Sequence, residues 1–145
     1  MGKTEISKAS IPQWVRPLFE ATNTLPLKKY FELPQLGELF RVWTFYKLDG
    51  QPILFVCVDG KGQKYLCSCC MMYSEWLVCD VSDAVLLSLV NDEISIREVF
   101  ERHSSSLLFV TWDGKLFNVT GEIPADAFPE DGALLELKDD YSSNK

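Results

Sequence analysis

The stretch that decides the fold is LFRVWTFYKLDGQPILFVCV, residues 39–58. Both halves are rich in aromatic and β-branched residues, which favour strands. Between the halves, Asp49-Gly50 is the strongest short hairpin signal, because a type I′ turn needs a positive φ at both central positions. A two-residue turn sets the register and predicts two cross-strand pairs on one face of the sheet. These pairs are Phe45 with Leu54 and Trp43 with Val56.

Two further strands are predicted after this hairpin, over residues 63–72 and 76–81. A turn cluster at Asp59-Gly60-Lys61-Gly62 precedes the first of them, and a weaker turn at residues 73–75 separates the two. Short connections make neighbouring strands antiparallel. The sequence from about Leu39 to Val81 therefore predicts a four-strand meander.

After Val81 the apolar period changes from that of a strand to that of a helix. Ser82 or Asp83 is a candidate cap for one short helix, and Ser95-Ile96-Arg97-Glu98 fits the capping box that begins a second. Residues 107–112 and 115–120 flank Asp113-Gly114, a second type I′ hairpin signal, and residues 133–137 are a candidate closing strand. The predicted fold class is α+β: an antiparallel sheet of a four-strand meander plus a C-terminal hairpin, with two short helices after strand four.

Residues 1–36 are predicted to form a proline-rich N-terminal arm or short helix. They hold four of the seven prolines, which block long helices. Trp14 and Phe19 belong to an apolar stripe with helical spacing, and such a segment either packs on its own domain or docks on a partner. These two aromatic residues are therefore the candidate partner-binding residues. The rest of the chain is divided into a single α+β domain, residues 37–137, and a polar tail, residues 138–145.

The charge balance bears on the class of partner. Fourteen basic residues stand against twenty-one acidic ones, which gives a net charge of −7. Nucleic-acid binding draws its affinity from cations that neutralise phosphates, and the same argument applies to an anionic membrane surface. We therefore expect no nucleic-acid partner and no membrane partner. Five crowded cysteines with no export signal predict reduced thiols and a cytoplasmic location.

The cysteines are the most unusual feature of the sequence. Alternation along the third strand places Cys67 and Cys69 on one face and Cys70 on the other. A four-residue loop over residues 72–75 puts Cys79 on the Cys70 face. A three- or five-residue loop brings it to Cys67 and Cys69, with His103 as a possible fourth metal ligand. Cysteine also packs as a small hydrophobe, and this interpretation is preferred. No catalytic residue, metal ligand or cofactor is therefore assigned.

Three stretches carry a resemblance: FYKLDGQPILF at residues 45–55, GQKYL at 62–66 and ISIREVF at 94–100. Over about residues 37–102 the chain resembles a family of small bacterial domains of unknown function, in which an aromatic strand, an Asp-x-Pro-Leu-Leu-Phe-like hairpin, a Gly-Gln-x-Tyr-Leu strand and an Ile-Ser-Leu-Arg-like helix follow in this order. The resemblance implies a bacterial or phage-borne intracellular protein and transfers no catalytic residue. The cysteines at 67–70 depart from the aliphatic residues of that family's strand.

Two functions are carried forward. The first is a non-enzymatic intracellular interaction domain that binds a protein partner or forms a homo-oligomer, since open sheets have edge strands that pair with other chains. The alternative is a small enzyme or ligand-binding domain that uses a cysteine/histidine site. Thiol reactivity in the native fold distinguishes the two.

Overall fold

A computed structural model describes residues 11–20, 28–70 and 74–136. One antiparallel sheet runs through it, with its strands in the same order in space as along the chain. The strands are β1 (Lys28–Leu33), β2 (Gly37–Leu48), β3 (Gln51–Val58), β4 (Lys64–Cys69), β5 (Glu75–Val81), β6 (Leu107–Trp112) and β7 (Phe117–Thr120). The helices are α1 (Arg16–Glu20), preceded by a 3₁₀ turn at Gln13–Val15, α2 (Asp83–Val90) and α3 (Ile96–Arg102), and a 3₁₀ turn follows at Ala125–Ala127. The α+β class and the antiparallel sheet are confirmed.

The sheet is larger than the predicted meander plus hairpin. β1 lies in a stretch for which the sequence predicted only turns and a short helix. The prolines there were misleading, because a six-residue strand fits between Pro26 and Pro34 without including either. β5 also pairs with β6, so the C-terminal hairpin continues the meander and all seven strands form one sheet.

The turn at Asp49-Gly50 has the predicted type I′ character, with φ of 53° and 79° at its two residues. Trp43 pairs with Val56 as predicted. The second predicted pair is wrong, because the register shifts on either side of Tyr46, which faces Leu54 in place of Phe45. Phe45 nevertheless packs in the same core cluster as Leu54.

The hairpin at Asp113-Gly114 is not the predicted two-residue turn. Trp112 pairs with Phe117, so the loop has four residues and β7 begins at Phe117 rather than at Lys115. The Asp113 carboxylate accepts the backbone N–H groups of Lys115 and Leu116, each at 2.9 Å. Together with the backbone hydrogen bond from the Asp113 N–H to the Leu116 carbonyl, at 3.2 Å, this side-chain acceptor stabilises the loop.

Both helix starts are as predicted. The Ser82 hydroxyl accepts the N–H of Val85 at the start of α2. At α3 the capping box is complete, since Ser95 accepts the N–H of Glu98 and the Glu98 carboxylate accepts the N–H of Ser95. Residues 133–136 do not form the predicted closing strand; they run across the helices, where the Ile96 N–H donates to the Ala133 carbonyl at 2.9 Å. Leu137 and the predicted tail, 138–145, lie outside the described residues.

The sheet buries both of its faces. One face is covered by residues 11–19, α2, α3 and the segment up to Leu135, and we call this side the helix-covered core. The other face curves inward around aromatic side chains, and we call it the concave core. The curvature brings β1 close to β7, so that the rings of Phe31 and Phe117 lie 5.3 Å apart. No helix in the described part of the chain is long and apolar enough to cross a membrane.

Candidate functional site

The register between β4 and β5 places the cysteines. The Cys70 N–H donates to the Glu75 carbonyl at 2.8 Å, and Cys69 pairs with Trp76. Cys79 consequently faces Leu66, on the helix-covered side with Cys70, whereas Cys67 and Cys69 face the concave core. The alternative with a loop over residues 72–75 therefore places Cys79 on the correct face of the sheet, although its bounds are wrong because Glu75 belongs to β5. Cys79 does not join Cys67 and Cys69.

The possible fourth ligand, His103, follows α3 and is exposed. Its backbone N–H donates to the Val99 carbonyl at 3.3 Å, so the residue ends the helix. Throughout residues 11–20, 28–70 and 74–136, no three His, Cys, Asp or Glu side chains are grouped so that they could hold a metal ion.

The protonation of the thiols limits their chemistry. Burial is the main cause in each case: it raises the pKa of Cys69 to about 11 and that of Cys70 to about 12. It also raises the pKa values of the buried Cys67 and Cys79 well above the ordinary value. Because the thiolate is the nucleophile and the metal ligand, these four side chains are neutral and weakly reactive at neutral pH.

The two candidate partner-binding residues lie against their own chain. Trp14 packs edge-on against Phe45, with ring centroids 6.3 Å apart. Phe19 also contacts the helix-covered core. Both rings are partly buried, and packing within the domain accounts for their apolar character.

An open groove of about 580 Å³ lies where the sheet fails to close, between β1 and the β6–β7 hairpin. We call it the edge groove. Its wall on the β1 side is residues 29–34, and its opposite wall is Trp112 with residues 115–117. Phe31 and Leu33 are almost fully buried beneath it. Its volume falls in the range of about 300–1,000 Å³ that is typical of ligand pockets.

Large apolar side chains are exposed beside this groove. Trp112 is 40% exposed and Leu116 is 68% exposed, and both line the edge groove. Among the described residues the remaining exposed large hydrophobic side chain is Leu48, at the β2–β3 turn. Trp112 packs against Phe117, with ring centroids 4.6 Å apart, and this contact links the exposed rim to the concave core.

The charged residues that line the edge groove are Lys29, Glu32 and Lys115, which sum to +1 on a chain of net charge −7. Lys29 contacts the carboxylates of Glu32 and Glu38 at 3.2 and 3.5 Å. The Lys115 ammonium forms no ion pair with any residue that the structure describes. The Glu38 carboxylate that pairs with Lys29 brings this sum to zero, so the cationic character of the groove comes from Lys115.

The backbone edges of β1 and β7 beside the groove are also available for pairing with a further strand. β1 pairs only with β2 and β7 only with β6 among the strands described, so each has an outer edge without a ladder. Sequence reasoning missed this site because it placed residues 107–112 and 115–120 in a separate hairpin and predicted no β1. The exposed Trp112 and Leu116 gave no signal by themselves, since both fit a strand pattern.

Comparisons with protein-family models, with curated proteins and with solved structures gave no match. The resemblance to small bacterial domains therefore stays a prediction from the residues alone.

Proposed function

We propose that the protein is a non-enzymatic interaction domain that binds a protein partner at the edge groove. The observation that carries the proposal is the exposure of Trp112 and Leu116 on an apolar groove between two strand edges that pair with no other described strand. Contiguous exposed apolar surface with a polar rim is typical of interaction sites. The proposal includes the intracellular, bacterial or phage-borne setting that the sequence resemblance implies.

Binding is favoured over catalysis by the chemistry of the groove walls. Their polar side-chain groups are the ammonium groups of Lys29 and Lys115, the Glu32 carboxylate, the Tyr30 phenol and the Trp112 indole N–H. Burial is the main cause that raises the pKa of Tyr30 to about 12, so the phenol stays protonated at neutral pH. None of the described residues that line the groove is a cysteine or a histidine, and the alternative cysteine/histidine enzyme gains no support from its position.

The test is selection of short random peptides displayed on phage against the full chain, followed by affinity measurement of the selected peptides. Leu116→Glu puts a charge on the groove wall, and Leu48→Glu is the matched control, a 51% exposed leucine on another hairpin turn. We expect Leu116→Glu to weaken binding about tenfold or more, because burying a leucine contributes roughly 1.5–3 kcal/mol. Leu48→Glu should bind as the unmodified chain does.

Two results would contradict the proposal. One is a selection that enriches no peptide; the other is a set of peptides that bind all three proteins equally. Light scattering on the same proteins identifies self-association, which would appear as a concentration-dependent dimer that Leu116→Glu disrupts and Leu48→Glu retains. That outcome would support the groove as the interface and make a second copy the partner.

A further inference from the structure

The directions of β1 and β7 show which kind of strand could lie between them in the edge groove. In a meander, neighbouring strands alternate in direction. With seven strands, β1 and β7 therefore run parallel to one another, although they approach closely enough for Phe31 and Phe117 to touch. No ladder joins them among the described residues. One more strand between them, antiparallel to both, would give every pair of neighbours the same antiparallel geometry.

We propose that the partner enters the edge groove as an extended segment that lies between β1 and β7, runs antiparallel to both and completes the sheet as an eighth strand. This inference rests on the proposed function and specifies the conformation of the partner. Its physical basis is that the unpaired N–H and C=O groups of two facing edges are satisfied by one inserted backbone.

Insertion requires the two edges to move apart, because Cα atoms of β1 and β7 approach to within 8 Å. An inserted strand needs about 9–10 Å between its two neighbours, twice the usual spacing. Across the seam, Phe31 and Phe117 meet through their rings, and no hydrogen-bonded backbone pair has to break. β7 has only four residues and ends one residue before Gly121, so it is the shorter of the two walls that must move.

The walls also specify the side chains of the segment. Alternate residues of an inserted strand point into the concave core, where Phe31, Phe117 and Trp76 present aromatic rings. Those residues should be apolar. The other residues point outward, where Lys29 is paired with Glu32 and Glu38. Lys115, and the exposed Lys28 at the start of β1, form no ion pair with any described residue. The outward positions should therefore favour aspartate or glutamate, by charge complementarity.

The experiment uses the tightest peptide from the selection above and a series of its variants, each N-methylated at one residue. Successive N–H groups of a strand point to opposite edges, so methylation at odd and even positions tests the two edges separately. We expect a loss of about tenfold or more at central positions of both parities, because each removes a backbone hydrogen bond and adds a clash. Side chains are unchanged in every variant.

The outcomes separate the two proposals. Loss at one parity only means addition to a single edge, and tolerance of all methylations means recognition through side chains; either result overturns the eighth strand and leaves the groove as the binding site. A selection without any Leu116-dependent peptide overturns the proposed function itself.

The preference for acidic residues at the outward positions is tested by a separate pair of variants, Lys115→Gln and the control Lys61→Gln. Lys61 is an exposed lysine in the β3–β4 turn. Lys115→Gln should lower the affinity for an acidic selected peptide several-fold at low salt, and this difference in affinity should shrink as salt is added. Selected peptides without an acidic residue, or equal effects of the two substitutions, would overturn the acidic preference.

Discussion

Replacing Cys67 by serine tests whether the unusual cysteines are apolar packing groups. Cys67 is fully buried in the concave core, and its sulfur lies 3.9 Å from the Tyr65 carbonyl, a separation that suits only a weak sulfur contact. A hydroxyl donor needs an acceptor within about 3 Å. The other hydrogen-bonding neighbour of this side chain is the Cys57 sulfur, a weak acceptor, so a serine hydroxyl is left without a good hydrogen bond.

The size of the effect follows from that missing hydrogen bond. Burying an unpaired hydroxyl costs about 1–3 kcal/mol on the scale of protein substitutions. With an m-value of about 2 kcal/mol/M, the urea midpoint of Cys67→Ser should fall about 0.5–1.5 M below that of Cys67→Ala, with an unchanged m-value. Alanine is the reference because it also removes the sulfur but introduces no polar atom.

The control is Cys69→Ser, at a partly exposed position two residues further along the same face. Water reaches that side chain, so its substitution should change the free energy of unfolding by no more than about 0.5 kcal/mol. Equal urea midpoints for Cys67→Ser and Cys67→Ala would refute the reasoning, because they would mean that the position satisfies a hydroxyl and is not a dry part of the core.

Three further predictions concern the capping box and the titrating groups. Ser95→Ala removes the acceptor for the Glu98 N–H and should lower the free energy of unfolding by about 1 kcal/mol in urea titrations; an unchanged value would mean that the box does not stabilise α3. The pKa of Cys69 is raised to about 11, mainly by burial, so its alkylation at pH 8 should be roughly tenfold slower than that of a free thiol. The thiolate fraction is roughly a hundredfold smaller, but the thiolate that does form is more nucleophilic and partly offsets this. Peptide mapping that shows the alkylation rate of a free thiol would contradict the prediction. Tyr30 and Tyr65 have pKa values raised to about 12, mainly by burial, so the folded state holds their protons more tightly than the unfolded chain with its pKa near 10. Their contribution to stability is present below about pH 10 and is lost toward pH 12, and a urea midpoint that does not fall between pH 9 and pH 11 would argue against it.

Local signals in the sequence were sufficient where the chemistry is local. The type I′ turn at Asp49-Gly50 follows from two residues that tolerate positive φ, and the start of α3 follows from the Ser95 and Glu98 side chains. Each of these features is determined within four residues of the chain. Long-range packing has little influence on them, so a single sequence suffices.

Other features depend on distant or competing interactions. The loop after Trp112 has four residues because the Asp113 carboxylate takes up two N–H groups, a choice that the Asp-Gly signal conceals. The face of the sheet on which Cys79 lies depends on the length of one loop, and the sequence alone left both faces possible. The pairing of Tyr46 with Leu54 comes from a register shift in the middle of β2, which turn chemistry does not encode.

The edge groove was beyond sequence reasoning because it belongs to the whole sheet. It lies where the curvature of the seven-strand meander brings the first strand, β1, beside the last strand, β7, in parallel orientation. The aromatic side chains of the concave core fill the interior and join β1 to β7 through rings, so the fold is closed by packing although its backbone edges stay open.

Such open edges normally invite unselective pairing, and charged residues on an edge strand oppose it. β1 begins with Lys28 and Lys29, and Lys115 stands on the opposite wall of the groove. These cations repel another basic edge, and a second copy of the chain would bring the same lysines to the contact. They attract an acidic strand instead. The same residues that protect the seam from aggregation would therefore select its partner, so Lys115→Gln tests the charge of the segment while the N-methylated series tests its two-sided backbone pairing.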